Sequence, residues 1–217
     1  MCSYDAVILD LDGTLAHTAP GIAHAVSQTM TSLGLPAPDI ELVQALMGGG
    51  AVKFFQRLLP DADPGLSDQL VNGFLTYYVA HAEESTELYP GVRETLEALH
   101  NGVKLAVCTA KTRPAAIRIL DHFGIAQYFE TVVAMEDMPA PKPDPRSAGI
   151  AIERLGVPAS NTLFVGDSMT DLLTAQNAGL DCWIVTYGYG FEAVYQAGGY
   201  ARAIDNFALL REITTTE

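Results

Sequence analysis

Basic residues are scarce in this chain: 12 Lys and Arg stand against 26 Asp and Glu, a formal net charge of −14 at pH 7. Such a field repels phosphate backbones and anionic lipid, which excludes nucleic acid and an anionic membrane surface as partners. Cysteine is sparse too. Cys2, Cys108 and Cys182 are odd in number, widely spaced and without metal-type pairing. They read as buried or incidental thiols in a reducing compartment, not as a disulfide framework or a zinc site. No apolar run is long enough to span a bilayer, and the opening Met1-Cys2-Ser3-Tyr4-Asp5 lacks both the basic stretch and the apolar core of a secretion signal. Internal repeats and low-complexity segments are missing as well. The expectation is a soluble cytoplasmic protein, monomeric or homodimeric.

What is present is enough apolar content for a sizeable core: 49% hydrophobic against 18% charged residues over 217 positions. That length suits one domain, or one domain carrying a smaller inserted module. The stretch around which the chain is organised is Ala6-Val7-Ile8-Leu9-Asp10-Leu11-Asp12-Gly13-Thr14-Leu15. Its unbroken apolar start reads as a buried strand of a parallel sheet. The strand ends in two carboxylates one residue apart, and Gly13 lets the backbone turn away sharply. Ligands bind at the carboxyl ends of strands in open α/β sheets, so Asp10 and Asp12 form a dense negative site that calls for a cation.

Between residues 17 and 88 the apolar spacing is helical, with segments at about 21–33, 40–46, 51–59 and 66–82, and no convincing strand. From Tyr89-Pro90-Gly91 onward strands and helices alternate: strands at 103–108, 131–134, 162–165 and 182–185, and helices at 92–100, 114–123, 145–155 and 170–178. Such alternation indicates βαβ units. The predicted fold class is α/β, a doubly wound, mainly parallel sheet with an inserted α-helical cap. Residues 1–16 and 84–217 form the core and 17–83 the cap. The tail at 214–217 is expected to fray.

Four segments in order resemble the motifs of the haloacid dehalogenase superfamily, in its phosphoglycolate phosphatase-like branch. They are Asp10-Leu11-Asp12-Gly13-Thr14-Leu15, Thr109 at a strand end, Lys142-Pro143-Asp144-Pro145, and Gly166-Asp167-Ser168-Met169-Thr170-Asp171. The resemblance implies a Mg²⁺-dependent phosphomonoester hydrolase that acts on a small phosphorylated metabolite. It makes Asp10 the nucleophile that becomes an aspartyl phosphate and Asp12 the acid that protonates the leaving oxygen and then activates water. Thr109 would hydrogen-bond the phosphoryl group, helped by the Ala110 amide where the family often has Asn or Gly. Lys142, fixed by Pro139, Pro141, Pro143 and Pro145, would offset charge on nucleophile and phosphate. Asp10, the Asp12 carbonyl and Asp167 would hold the metal, with Asp171 either on the metal or hydrogen-bonded around it. Because the chain's overall field repels phosphate esters, a divalent cation and a few placed basic groups must reverse it locally. A phosphosugar mutase of the same fold, or a binding protein that kept the fold without catalysis, are the alternatives.

Lys53 and Arg57 are the only basic residues in 17–88, four apart on one helical face, and so are candidates to hold a second anionic group of the substrate; for Arg57 a solvated face competes. The Gly48-Gly49-Gly50 triplet is a helix break or a mobile specificity loop. Lys111 is as readily a solvated side chain as a site residue. His17 stands where relatives commonly have an aspartate, and reads as a neutral, hydrogen-bonded histidine more readily than as a pH-sensitive contact.

Overall fold

The apolar run after Asp5 forms β1 (Ala6–Leu9), in which all four side chains are fully buried. In the computed structural model, which describes residues 3–213, the chain then makes a two-residue strand β2 (Ala16–His17) and four helices. These are α1 (Ala19–Ser32), α2 (Ile40–Leu46), α3 (Gly50–Leu58) and α4 (Pro64–His81). A second two-residue strand, β3 (Glu87–Leu88), leads back to α5 (Val92–Leu99), β4 (Lys104–Cys108), α6 (Arg113–His122), β5 (Thr131–Val133) and α7 (Arg146–Leu155). The chain closes with β6 (Thr162–Gly166), α8 (Met169–Asn177), β7 (Asp181–Val185), α9 (Phe191–Ala197) and β8 (Arg202–Ile204). Cys2 and the tail at 214–217 lie outside the described residues.

β1 and β4 to β8 form one parallel sheet in the order β5-β4-β1-β6-β7-β8. The period-two alternation of a strand divides its side chains between two cores. Val7, Leu9, Leu105, Val107, Leu163 and Val165 face α5 and α6, where they meet Leu96 and Ile119. Ala6, Ile8, Ala106, Cys108, Phe164 and Ile184 face α7 and α8, meeting Ala151, Leu155 and Leu172. Helices therefore cover both faces, which is why the strands read as continuous apolar runs. The doubly wound, mainly parallel sheet expected from the alternation is the one observed.

The helices between β2 and β3 pack through an aromatic seam. Phe55 meets Phe74 edge-on at 5.9 Å, and Phe74 stacks on Tyr78 at 5.3 Å. Asp63 caps α4 by accepting from the Leu66 amide at 2.9 Å. Where no strand was expected, β2 and β3 pair antiparallel, Ala16 with Leu88 and His17 with Glu87, and so clasp the two chain crossings to and from these helices. They are too short to show alternation. The same holds for β8, and α9 likewise has no counterpart in the sequence reading.

Phe164 is fully buried at the centre of the second core. Phe164→Ala is expected to destabilise the fold by about 4 kcal/mol, read as a lowered midpoint in denaturant; a change below ~1 kcal/mol would contradict the packing described here.

Candidate active site

The carboxyl ends of β4, β1 and β6 lie level, since Leu9 pairs with Val107 on one side and Val165 on the other. The sheet order runs outward in both directions from β1, so the crevice above it is the switch point at which doubly wound sheets bind ligands. Asp10 follows β1, Thr109 follows β4 and Asp167 follows β6. Three of the four predicted motifs are thus delivered to one place by strand ends.

Lys142 reaches it from the proline-rich loop between β5 and α7. Its Nζ donates to Asp10 Oδ1 at 2.9 Å, Asp171 Oδ1 at 2.6 Å and the Cys108 carbonyl at 3.1 Å. Burial alone would pull this ammonium down, but Asp10 and Asp171 outweigh it and hold the pKa well above the usual lysine value. Burial acts in the opposite sense on the acids. It pushes the Asp10 carboxyl up to about 7, against the partial relief that Lys142 provides. It raises Asp167 well above the carboxylate range, with Asp171 and Asp10 adding to the shift.

Asp10, Asp167 and Asp171 each place an oxygen within 4.8 Å of the other two. Three buried carboxylates facing one ammonium leave an excess of negative charge, and hard oxygen donors of this kind suit a divalent cation such as Mg²⁺. The residues present therefore fit a metal. Asp171 differs from the other two, because its oxygens are already engaged. Oδ1 takes Lys142, while Oδ2 accepts from Ser168 Oγ at 2.6 Å and from the Ser168 and Asp167 amides at 3.2 and 3.3 Å. Ser168 and Asp171 form a reciprocal capping box at the start of α8.

The backbone around these acids is glycine because nothing larger fits. A Cβ on Gly13, whose φ is +79°, would lie 2.3 Å from Asp167 Oδ2, and one on Gly188 would lie 2.2 Å from Asp167 Cβ. Between Gly188 and Gly190, Tyr189 donates its amide to Asp167 Oδ2 at 2.7 Å. Its hydroxyl accepts from the Thr18 and Ala19 amides at 2.9 and 3.0 Å, at the start of α1, and sits 2.9 Å from His17 Nδ1. His17 is thus a hydrogen-bonded histidine beside the site. Nothing in the sequence distinguished Tyr189.

Asp12 stands apart from the carboxylate cluster. Its Oδ1 accepts from Thr18 Oγ1 and pairs with Lys111 Nζ at 3.0 Å. Lys111, which could equally have been a solvated side chain, is only 8% exposed. It donates to Tyr78 Oη of α4 at 2.7 Å. That contact crosses from the sheet to the helical segment, and the spacing of residues along the chain carries no sign of it. Thr109 is fully buried, and its Oγ1 accepts from the Lys111 amide at 3.2 Å.

A cavity of about 180 Å³ joins these groups, lined by Asp10, Asp12, Ala110, Lys111, Lys142 and Asp167 on the sheet side and by Gly48, Gly49, Gly50, Phe54, Phe74 and Tyr78 on the helical side. Lys53 and Arg57, expected to hold a substrate anion, are not in its lining. Arg57 is exposed and donates to the Leu46 and Gly48 carbonyls at 3.2 and 3.1 Å, and the Lys53 stem packs on Gly49. The structure thus turns this pair toward the glycine loop's own backbone and does not bring it to the carboxylates.

Residues 7–185 match the model of the haloacid dehalogenase-like hydrolase family. A phosphoglycolate phosphatase of Pseudomonas savastanoi pv. phaseolicola is 36% identical over 211 residues, which cover 94% of this chain and 77% of that protein. A crystal structure described as a predicted phosphoglycolate phosphatase from Haemophilus somnus 129PT superposes with a TM-score of 0.89 at 30% identity, covering 99% of this chain and 100% of that one. CbbY from Rhodobacter sphaeroides, solved in complex with phosphate, gives 0.82 at 28% identity over 95% of this chain and 96% of its own.

The raised Asp10 pKa makes a prediction about stability. Without metal, the folded protein keeps a proton on Asp10 up to about pH 7, whereas the unfolded chain releases it near 3.8. Stability must therefore fall as pH rises through that window. Asp10→Asn has no such titration. In chelator it is expected to exceed wild type by roughly 4 kcal/mol at pH 8, with the advantage shrinking toward pH 4; parallel pH profiles in chemical denaturation would contradict this.

Proposed function

The chain belongs to the haloacid dehalogenase-like hydrolase family and is a phosphatase, and from that premise we propose that it is a Mg²⁺-dependent hydrolase of a small phosphomonoester such as 2-phosphoglycolate, working through an aspartyl phosphate on Asp10. Residues 1–16 and 84–217 serve as its catalytic core and 17–83 as a cap over the cavity. The observation that carries the reading is the buried cluster of Asp10, Lys142, Asp167 and Asp171 at the switch point of the sheet.

In the first step a carboxylate oxygen of Asp10 attacks phosphorus, the P–O bond to the leaving group breaks, and Asp12 gives its proton to the departing oxygen. In the second, Asp12 takes a proton from water, the water oxygen bonds to phosphorus, and the P–O bond to Asp10 breaks to release phosphate. Lys142 holds Asp10 in position and offsets charge on it, while the Thr109 hydroxyl and the Ala110 amide hold phosphoryl oxygens. Side-chain oxygens of Asp10 and Asp167 and the Asp12 carbonyl would hold Mg²⁺, which when bound supplies the positive charge that lets an anionic ester approach an anionic nucleophile. With both oxygens engaged by protein donors, Asp171 acts by fixing Lys142 and the turn that carries Asp167. No helix among the described residues is long and apolar enough to cross a membrane, and we place the activity in the cytoplasm, on a soluble metabolite.

Phosphate release from 2-phosphoglycolate is expected with Mg²⁺, is abolished by chelator and restored by Mg²⁺, and falls by about 10⁴-fold or more in Asp10→Asn. Release by Asp10→Asn at the wild-type rate would overturn the reading.

A further inference from the structure

Helix α1 is capped from outside itself. Its N-cap is Thr18, fully buried, yet the Thr18 side chain makes no capping hydrogen bond. An N-cap hydroxyl ordinarily accepts from the amide of the second or third helical residue, but the second here is Pro20, which has none. No acidic residue lies in the first turn to serve instead. Tyr189, on the loop after β7, does the capping: its hydroxyl oxygen accepts from the Thr18 and Ala19 amides at 2.9 and 3.0 Å. Two amides occupy both lone pairs of that oxygen and leave its proton for His17 Nδ1, 2.9 Å away.

The consequence falls on Thr18. Relieved of capping, its Oγ1 donates to Asp12 Oδ1. Lys111 Nζ pairs with the same oxygen at 3.0 Å, and among the described residues Asp12 Oδ2 takes no hydrogen bond. Oδ1 is thus the oxygen that is held, and Oδ2 the one left to give and take a proton. The seat of Tyr189 is fixed in turn. Its amide donates to Asp167 Oδ2 at 2.7 Å. Two residues earlier, Tyr187 Oη donates to the Thr14 carbonyl at 3.0 Å, and its ring packs on Tyr89 with centroids 4.3 Å apart. The loop after β7 is therefore tied to the turn that follows β1 and carries one hydroxyl out to the point where the chain leaves for α1.

We infer that Tyr189 is a positioning residue for proton transfer to the leaving group: its hydroxyl holds the start of α1, and so frees Thr18 to orient Asp12. This rests on the phosphatase reading above, in which Asp12 is the acid. Although Tyr189 lines the cavity, its hydroxyl is committed within the protein and acts through Thr18. Removing that hydroxyl therefore slows only those esters whose leaving oxygen needs a proton.

The test compares kcat/KM, which reports the steps up to departure of the leaving group, for phenyl phosphate and p-nitrophenyl phosphate with Mg²⁺ present. The two are close in shape, but nitrophenolate departs without an acid and phenolate far less readily. Tyr189→Phe keeps the ring and the amide bond to Asp167. It is expected to lower kcat/KM for phenyl phosphate about 10-fold and to leave that for p-nitrophenyl phosphate nearly unchanged. Thr18→Val does the same, while Thr18→Ser, which keeps the hydroxyl, retains the wild-type ratio. On 2-phosphoglycolate the losses of Tyr189→Phe and Thr18→Val do not multiply in the double variant, because both break one chain of contacts. Should Tyr189→Phe fail to fold, Thr18→Val decides: an unchanged ester ratio there removes the route from Tyr189 to Asp12. Equal losses on the two aryl esters, or losses that multiply, overturn this inference and leave the phosphatase standing. Wild type releasing phosphate from no ester, 2-phosphoglycolate included, overturns the phosphatase reading and this inference with it.

Discussion

Lys142 and the two carboxylates it bridges are the interaction on which the site depends. A lysine only 3% exposed is tolerable in a protein interior only if its charge is met, and here Asp10 after β1 and Asp171 in the first turn of α8 face it. The contact ties the loop between β5 and α7 to the end of β1 and to α8, so Asp10 is held by groups that are themselves anchored. With Asp10 protonated in the metal-free protein, replacing Asp171 would leave the Lys142 ammonium without an ionised partner.

Around that cluster the fold accepts strain for chemistry. Carboxylates crowd where the sheet and helix ends converge, burial pushes the pKa values of Asp10 and Asp167 upward, and glycines at 13, 166 and 188 leave the room that a side chain would take. The protein's overall charge of −14 adds to the repulsion. A site of this kind is unfavourable until a cation and an anionic ligand arrive, and it is therefore poised to bind both. Acidic composition and a phosphate-handling centre are compatible once the local balance at Lys142, Lys111 and a metal is considered apart from the global one.

Much of this was legible in the chain. Buried parallel strands announce themselves as apolar runs ending in polar residues, and each of the motif strands did so. The site acids follow, because strand ends at one sheet edge must converge. What the chain does not announce is contact between distant segments. Lys111 read as plausibly solvated because its partner, Tyr78, lies 33 positions away on a helix whose facing side is set by packing. Tyr189 acts partly through its backbone amide, to which composition is blind. Lys53 and Arg57 share a helical face as expected, but a shared face says nothing about the direction in which it points. β2, β3 and β8 are too short for any periodicity.

The central claim is that Asp10 carries the phosphoryl group covalently. It is tested most directly by mixing Asp12→Ala with p-nitrophenyl phosphate and Mg²⁺ and following both products from the first turnover. This leaving group departs without an acid, whereas removal of Asp12 slows the attack of water. The account predicts a stoichiometric burst of nitrophenol, with the phosphate retained on the peptide that contains Asp10. Nitrophenol and phosphate appearing together at equal rates, with no phosphate held on the protein at any time, would contradict it.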